Sequence, residues 1–262
     1  LIEPGRLYRF PGIGKHNGNT AGWCKLFDDS RGGCFGDWSS GLSEHWQAKR
    51  ANAFSLSERA AFFHRVEATR KDAEADRQKQ YAAIADKAAA IWKAALPASD
   101  AYPYLVGKGI QANGARLYKD ALVIPVRYGG VICSLQFIDA DGGKRFLKGG
   151  RLSGGYFSIG DIEGTMALCI VEGFATGATV HQATGLPVAV AFNVGNLMSV
   201  AKTLRQRFPD LPTIICADDD ANTEGNLGIT KARLAALEIG ARLAVPIFDD
   251  PRPEGLTDFN DM

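Results

Sequence analysis

Between residues 167 and 246 the chain alternates short apolar runs with longer stretches of helical periodicity. The apolar runs cover residues 167–171, 187–192, 213–217 and 241–246, and the helical stretches 174–184, 196–208 and 225–239. Parallel strands cannot be joined by a tight turn and need a crossover, usually a helix. Such alternation therefore predicts a parallel sheet with helices on both faces. In sheets of this kind ligands bind beyond the carboxyl ends of the strands. The residues that follow each strand are where chemistry is to be sought.

The run 167–171 ends in Val171-Glu172-Gly173, a carboxylate followed by a glycine that permits a tight turn into the next helix. Taken alone, Glu172 could equally be a helix N-terminal acid that complements the dipole. The run 213–217 ends in Ala217-Asp218-Asp219-Asp220. In an extended backbone Asp218 and Asp220 share one side and Asp219 points away. Two carboxylates roughly 4 Å apart repel by about 4 kcal/mol at an effective dielectric of 20, a cost that a divalent cation removes. Oxygen donors with no nearby His or Cys suit Mg²⁺ or Mn²⁺ rather than zinc. An isolated Asp-x-Asp is more often a solvated loop, but Glu172 ends another strand of the same expected sheet. A further acidic group, Asp258-Phe259-Asn260-Asp261, closes the chain; it could fray as a tail or return Asp258 to the same crevice.

Upstream, the texture differs. Residues 1–50 are rich in Gly, aromatic residues and turn dipeptides, which predicts a small β-module. Residues 51–100 form a helical linker: Ser55 and Ser57 are possible N-caps, Glu58 gives Ser55 a capping-box partner, and Pro97 ends the run. Tyr81, Ile84, Ala88, Ile91, Trp92 and Ala95 fall on one stripe, whereas the stretch from Glu67 to Gln80 carries almost nothing apolar and reads as a solvated helix or hinge. Residues 101–164 read as a mixed α+β subdomain with a hairpin at Gly129-Gly130, and a basic stretch, Lys144 to Arg151, follows. Residues 165–262 hold the parallel sheet. With 46% hydrophobic and 23% charged residues the chain can bury a sizeable core. Thirty basic against twenty-nine acidic residues argue against a polybasic mode of binding, though a basic groove can stand beside an acidic site. No apolar run approaches the length of about 18 residues that spans a membrane. No charged-then-apolar leader follows Leu1, so no secretory signal is expected and the chain reads as an excised fragment. Five cysteines, three of them inside apolar runs, fit a reducing cytoplasm.

The segments Val171-Glu172-Gly173-Phe174-Ala175-Thr176, Ala217-Asp218-Asp219-Asp220 and Asn226-Leu227-Gly228 together resemble the Toprim domain, the catalytic module shared by bacterial DnaG-like primases, topoisomerases and some nucleases. Asp258-x-Asn260-Asp261 is similar to the terminal motif of primase-type members. Tyr102-Pro103-Tyr104-Leu105, Lys108-Gly109-Ile110, Leu122-Val123-Ile124-Pro125, Ser134-Leu135-Gln136-Phe137-Ile138 and Lys144-Arg145-Phe146-Leu147 resemble the segment before Toprim in phage- and plasmid-type primases. The resemblance implies an α/β fold and a DNA primase that makes short RNA primers on single-stranded DNA from ribonucleoside triphosphates, working with a replicative helicase. It implies two Mg²⁺ or Mn²⁺ ions held by Glu172, Asp218, Asp220 and Asp258, with Glu172 also a candidate general base. Lys108, Lys144, Arg145, Lys148 and Arg151 would hold template or nucleotide phosphates.

Other readings stay open. A Toprim nuclease would use the same ions to hydrolyse DNA, and a non-catalytic DNA-binding or loading module would keep the acids only structurally. A topoisomerase would need a Tyr-bearing partner domain for which there is no room. Gly12-Ile13-Gly14-Lys15 is not a Walker A loop, because Arg9 and His16 stand where Gly and Ser or Thr are required. Cys24, Cys34, His16 and His45 lack a Cys-x-x-Cys pair, so the zinc module usual ahead of DnaG-like cores is not expected. The aromatic residues from Trp23 to Trp46 could stack single-stranded DNA, with core packing of the small module the favoured alternative.

Overall fold

The computed structural model describes residues 2–16, 19–48 and 55–262. Leu1 and the expected boundary between residues 50 and 51 lie outside them. The chain divides into two compact units, Leu1–Ala83 and Ile84–Met262. Among the described residues no helix is long and apolar enough to cross a membrane.

In the first unit, β1 (Leu7–Phe10), β2 (Gly22–Leu26), β3 (Gly32–Asp37) and β4 (Leu42–Gln47) form an antiparallel meander in that order. The helix α1 (Leu56–Ala94) begins with the expected capping box. The Ser55 amide donates to Glu58 Oε2 at 2.8 Å, and the Glu58 amide donates back to Ser55 Oγ at 3.3 Å. Phe62, Val66 and Ala73 of α1 bury against Trp23, Phe27 and Cys34 of the meander. The stretch from Glu67 to Gln80 is therefore not a solvated face all round. Thr69 and Ala73 are buried, and Lys25 and Arg9 of the meander pair with Asp72 and Asp76. Small side chains and aliphatic stems make this contact, so a count of large apolar residues overlooks it. The aromatic stretch divides: Trp23 is in the core, stacked on Trp38 at 5.9 Å, whereas Phe35 and Trp46 are exposed.

The second unit begins within α1. After β5 (Leu96–Pro97) and α2 (Pro103–Lys108) come β6 (Arg116–Tyr118), β7 (Ala121–Tyr128), β8 (Val131–Ile138) and β9 (Lys144–Phe146). These strands make an antiparallel sheet ordered β5-β6-β7-β8-β9. Because side chains alternate along a strand, the sheet has two apolar faces. Val123, Leu135 and Phe137 pack with Ala88, Ile91 and Trp92 of α1, on the stripe expected from sequence. Leu122, Ile124 and Ile138 face the rest of the unit.

That remainder is a mixed sheet of β10 (Phe157–Ile159), β11 (Leu168–Val171), β12 (Val188–Val190), β13 (Thr213–Cys216) and β14 (Arg242–Ala244), joined by α3 (Phe174–Thr184), α4 (Val194–Arg207) and α5 (Leu227–Ile239). The order is β10-β12-β11-β13-β14, with β10 antiparallel to β12 and the other pairs parallel. The chain steps from β11 to β12 in one direction, then crosses back over β11 to β13. Right-handed crossovers in opposite directions put their helices on opposite faces. Accordingly Cys169 and Val171 share a core with α3 and the antiparallel sheet, whereas Leu168 and Ile170 share one with α4 and α5. The strand order reverses between β11 and β13, which makes their carboxyl ends the switch-point crevice.

Ile170 is fully buried under α4 and α5. Ile170→Ala is expected to lower stability by about 2–5 kcal/mol, through lost apolar burial and the cavity left behind. Urea unfolding followed by tryptophan fluorescence and circular dichroism would measure it.

Candidate functional site

β11 and β13 are adjacent and in register at Ile170↔Ile215. Glu172 and Asp218 therefore leave the same edge of the sheet from neighbouring strands. Asp220 follows Asp218 by two residues, and its Oδ2 accepts a hydrogen bond from the Gly228 amide at 3.2 Å, in the first turn of α5. A Cβ on Gly228 would collide with the Asp218 carbonyl oxygen, so only glycine lets α5 start this close to the strand end. Asp219 turns away from its neighbours. Its carboxylate accepts from Arg252 Nη1 at 2.8 Å and from Asn226 Nδ2 at 2.6 Å, and its amide donates to the Thr257 carbonyl at 2.7 Å. These bonds tie the final segment of the chain to the crevice.

That segment is ordered by its own polar groups. Asp258 Oδ1 accepts from the amides of Asn260 and Asp261, and Asp258 Oδ2 accepts from the buried Thr176 hydroxyl at 2.8 Å. Asn260 Nδ2 donates to the Lys108 carbonyl at 2.8 Å and to Thr179 Oγ1 at 2.9 Å, linking α2 and α3. Asp261 pairs with Lys108 Nζ at 3.4 Å. Phe259 packs on the core between the two sheets. Asp258 is thereby held in the crevice rather than in a frayed tail.

Glu172, Asp218, Asp220 and Asp258 stand in one another's fields. Burial pushes the Asp218 carboxyl up to about 8, and the charges of Glu172, Asp258 and Asp220 add to the shift, while Lys144 opposes it. Glu172 is raised by burial and then by Asp220, against the Val194 amide and Lys144. Asp218 Oδ1 is buried with no hydrogen-bond partner among the described residues. An acceptor left in that condition is costly unless a proton or a cation meets it. As the side chains stand, no three His, Cys, Asp or Glu groups among the described residues are arranged to hold an ion. Like charges with no counter-ion favour separation and protonation over a closed ligand set. The donor set is nonetheless all oxygen and mostly carboxylate, and its central member lacks a partner, which fits a hard divalent cation.

Sequence reasoning gave no role to Thr176, Thr179, Tyr104 or Arg252. Tyr104 is buried on α2, its hydroxyl has no partner among the described residues, and burial and the charge of Asp258 push its phenol up to about 12. Thr176 and Tyr104 lie inside motifs visible in the sequence, but Asp258, which accepts from the Thr176 hydroxyl and whose charge acts on Tyr104, is more than eighty positions away, so only the fold brings them together.

The basic residues do not form the single cluster that their spacing suggested. On β9 side chains alternate, and Lys144 is in register with Ile138 while Arg145 is in register with Phe137. Lys144 therefore acts on the carboxylates, whereas Arg145 lies over the Phe137 ring at 4.8 Å and pairs with Asp139 on the other face. Lys148 lines a cavity on that same other face. Arg151 covers the Tyr128 ring at 3.4 Å, and Lys108 is occupied with Asp261.

Residues 167–262 match the family model of the Toprim domain. Two curated relatives, both described as DNA primase TraC of Escherichia coli, are 31% and 32% identical to this chain over 259 and 265 residues. Each alignment takes in 94% of the chain but only 24% and 18% of the relative. The chain thus spans a quarter or less of the length of these relatives.

The Asp218 shift has a definite sign. Between the unfolded value of 3.8 and about 8 the native state keeps a proton that the unfolded state has lost. Stability is fully present at the acid end and falls as pH rises, by up to about 1.4 kcal/mol per pH unit for one such group. In chelator, urea unfolding across that range is expected to show a decline that Asp218→Asn flattens; an unchanged slope in the variant would remove Asp218 as its source.

Proposed function

Because residues 167–262 match the family model of the Toprim domain, we propose that the chain is the catalytic part of a DNA primase. It would join ribonucleoside triphosphates into short RNA primers on a single-stranded DNA template, in step with a replicative helicase. The observation that carries this reading is the buried, unpartnered carboxylate oxygen of Asp218, set among Glu172, Asp220 and Asp258 at the switch point. Residues 101–164 supply the basic half of the polymerising core and residues 165–262 the acidic half.

Glu172, Asp218 and Asp220 are the residues that would hold Mg²⁺ or Mn²⁺, with Asp258 completing the set. When bound, such ions lower the pKa of a primer 3′-hydroxyl and neutralise charge on the triphosphate and the departing pyrophosphate. Glu172 also takes the proton of that hydroxyl as general base. The hydroxyl oxygen then bonds to the α-phosphorus as the bond to pyrophosphate breaks. Lys144, which acts on the same carboxylates, holds the triphosphate oxygens beside them. Asp219 bonds to Arg252 and Asn226, keeping the loop between Asp218 and Asp220 in place, and Thr176 orients Asp258.

Primer synthesis with labelled ribonucleotides on circular single-stranded DNA tests the reading, with Mg²⁺, with Mn²⁺ and with chelator. Short labelled products that depend on metal are expected, and Asp218→Asn or Glu172→Gln should reduce them by at least about a hundredfold. Full activity in those variants would overturn the site. Shortened template without labelled product would mean a nuclease, and DNA binding indifferent to chelator would mean a loading module.

A further inference from the structure

On the face of the antiparallel sheet that packs against α1, a cavity of 540 Å³ opens beside β6, β8 and β9. Its size falls within the range of roughly 300–1,000 Å³ typical of small-ligand sites. Lys87, Lys119, Arg145 and Lys148 line it, against only Asp120 and Asp139. In a chain whose charges otherwise nearly cancel, this is a local excess of positive charge. Arg145 is tied to Asp139; the three lysines, all exposed, make no ion pair among the described residues.

The cavity also has aromatic walls. The Arg145 Cζ lies over the Phe137 ring at 4.8 Å from its centroid, and a guanidinium is a planar group on which a ring can stack. Tyr118 is half-buried, with Lys119 Nζ 5.6 Å from its ring centroid. Lys119 and Asp120 form the two-residue turn between β6 and β7, and Lys119 sits at φ 55. In tight hairpin turns the positions with φ above zero are ordinarily filled by Gly, Asn or Asp. A lysine there holds its charge at the cavity at a cost in backbone strain.

We infer that this cavity is a second nucleotide-binding site, separate from the carboxylate crevice, that takes one nucleotide unit with its base against Arg145 and Tyr118 and its phosphates on Lys87, Lys119 and Lys148. The ligand chemistry is a flat ring with adjacent negative charge. It could come from a free nucleoside triphosphate or from one nucleotide of a single strand threaded across the sheet. The site lies on the opposite face of β9 from Lys144, so it does not share the groups that act on Asp218.

Binding of ATP by calorimetry, and of a fluorescein-labelled oligo(dT) of about eight nucleotides by anisotropy, is measured in chelator on the Asp218→Asn chain. Under these conditions no metal joins a nucleotide to the acid site, and the effect of the lysine variants on that common background is read apart from the primase reading. Adding Lys87→Ala and Lys119→Ala is expected to weaken one of the two probes about tenfold. For the oligonucleotide it should also reduce the slope of log K against log salt by about 1.4, the contribution of two phosphate contacts. Loss confined to ATP identifies a free nucleotide as the ligand, and loss of the oligonucleotide identifies a strand. Lys119→Gly is the folding control. It relaxes the turn, so its melting temperature should not fall, while its affinity should. Equal affinity of the lysine variants and their parent for both probes, or no binding of either probe by the parent, overturns the site.

Discussion

The central constraint in this structure is electrostatic: a carboxylate just beyond β13 is buried in the field of three others, and its Oδ1 has no hydrogen-bond donor among the described residues. Desolvation alone disfavours the charged form of Asp218, and Glu172, Asp258 and Asp220 add to the penalty. The fold does not relieve the crowding internally. Asp219, the neighbouring acid, has Arg252 and Asn226; Asp258 has Thr176 and two backbone amides. Lys144, from a different sheet, acts to offset the charge at Asp218. A carboxylate kept in this state costs folding stability unless a proton or a cation meets it.

The architecture around the site follows from that need. The switch between β11 and β13 delivers two acids to one edge, and the glycine at α5 permits the helix to approach Asp218 without displacing it. The chain's last residues then bind back onto α2 and α3 through Asn260 and Asp261. The antiparallel sheet has a double role. One face closes the core beneath α3, and β9 on that sheet brings Lys144 to bear on the acids. The other face carries α1 and a basic, aromatic cavity. A single strand of three residues thus divides its charges between two sites.

Much of this was legible in the residues. The alternation after residue 167 specified parallel strands and helices on both faces, and Ser55 and Glu58 announced the start of the long helix. Period-two reasoning separated Asp219 from Asp218 and Asp220. The same rule, not applied to Lys144 and Arg145, would have divided the basic stretch as the sheet does. The stretch from Glu67 to Gln80 is largely exposed, as its composition implies, and its two buried positions, Thr69 and Ala73, were not legible because small residues carry little hydrophobic signal. The partners of Asp258 could not be read from sequence. Hydrogen bonds between residues as far apart as Lys108 and Asn260 depend on how the two sheets pack, and no local pattern encodes them.

The most direct test of the carboxylate crevice is anomalous diffraction from crystals of the protein soaked in Mn²⁺. A metal peak is expected between the ends of β11 and β13, about 2.1 Å from carboxylate oxygens of both Glu172 and Asp218. Peaks found only at other acidic groups, or Glu172 and Asp218 turned to separate solvent with no ion between them, would contradict it.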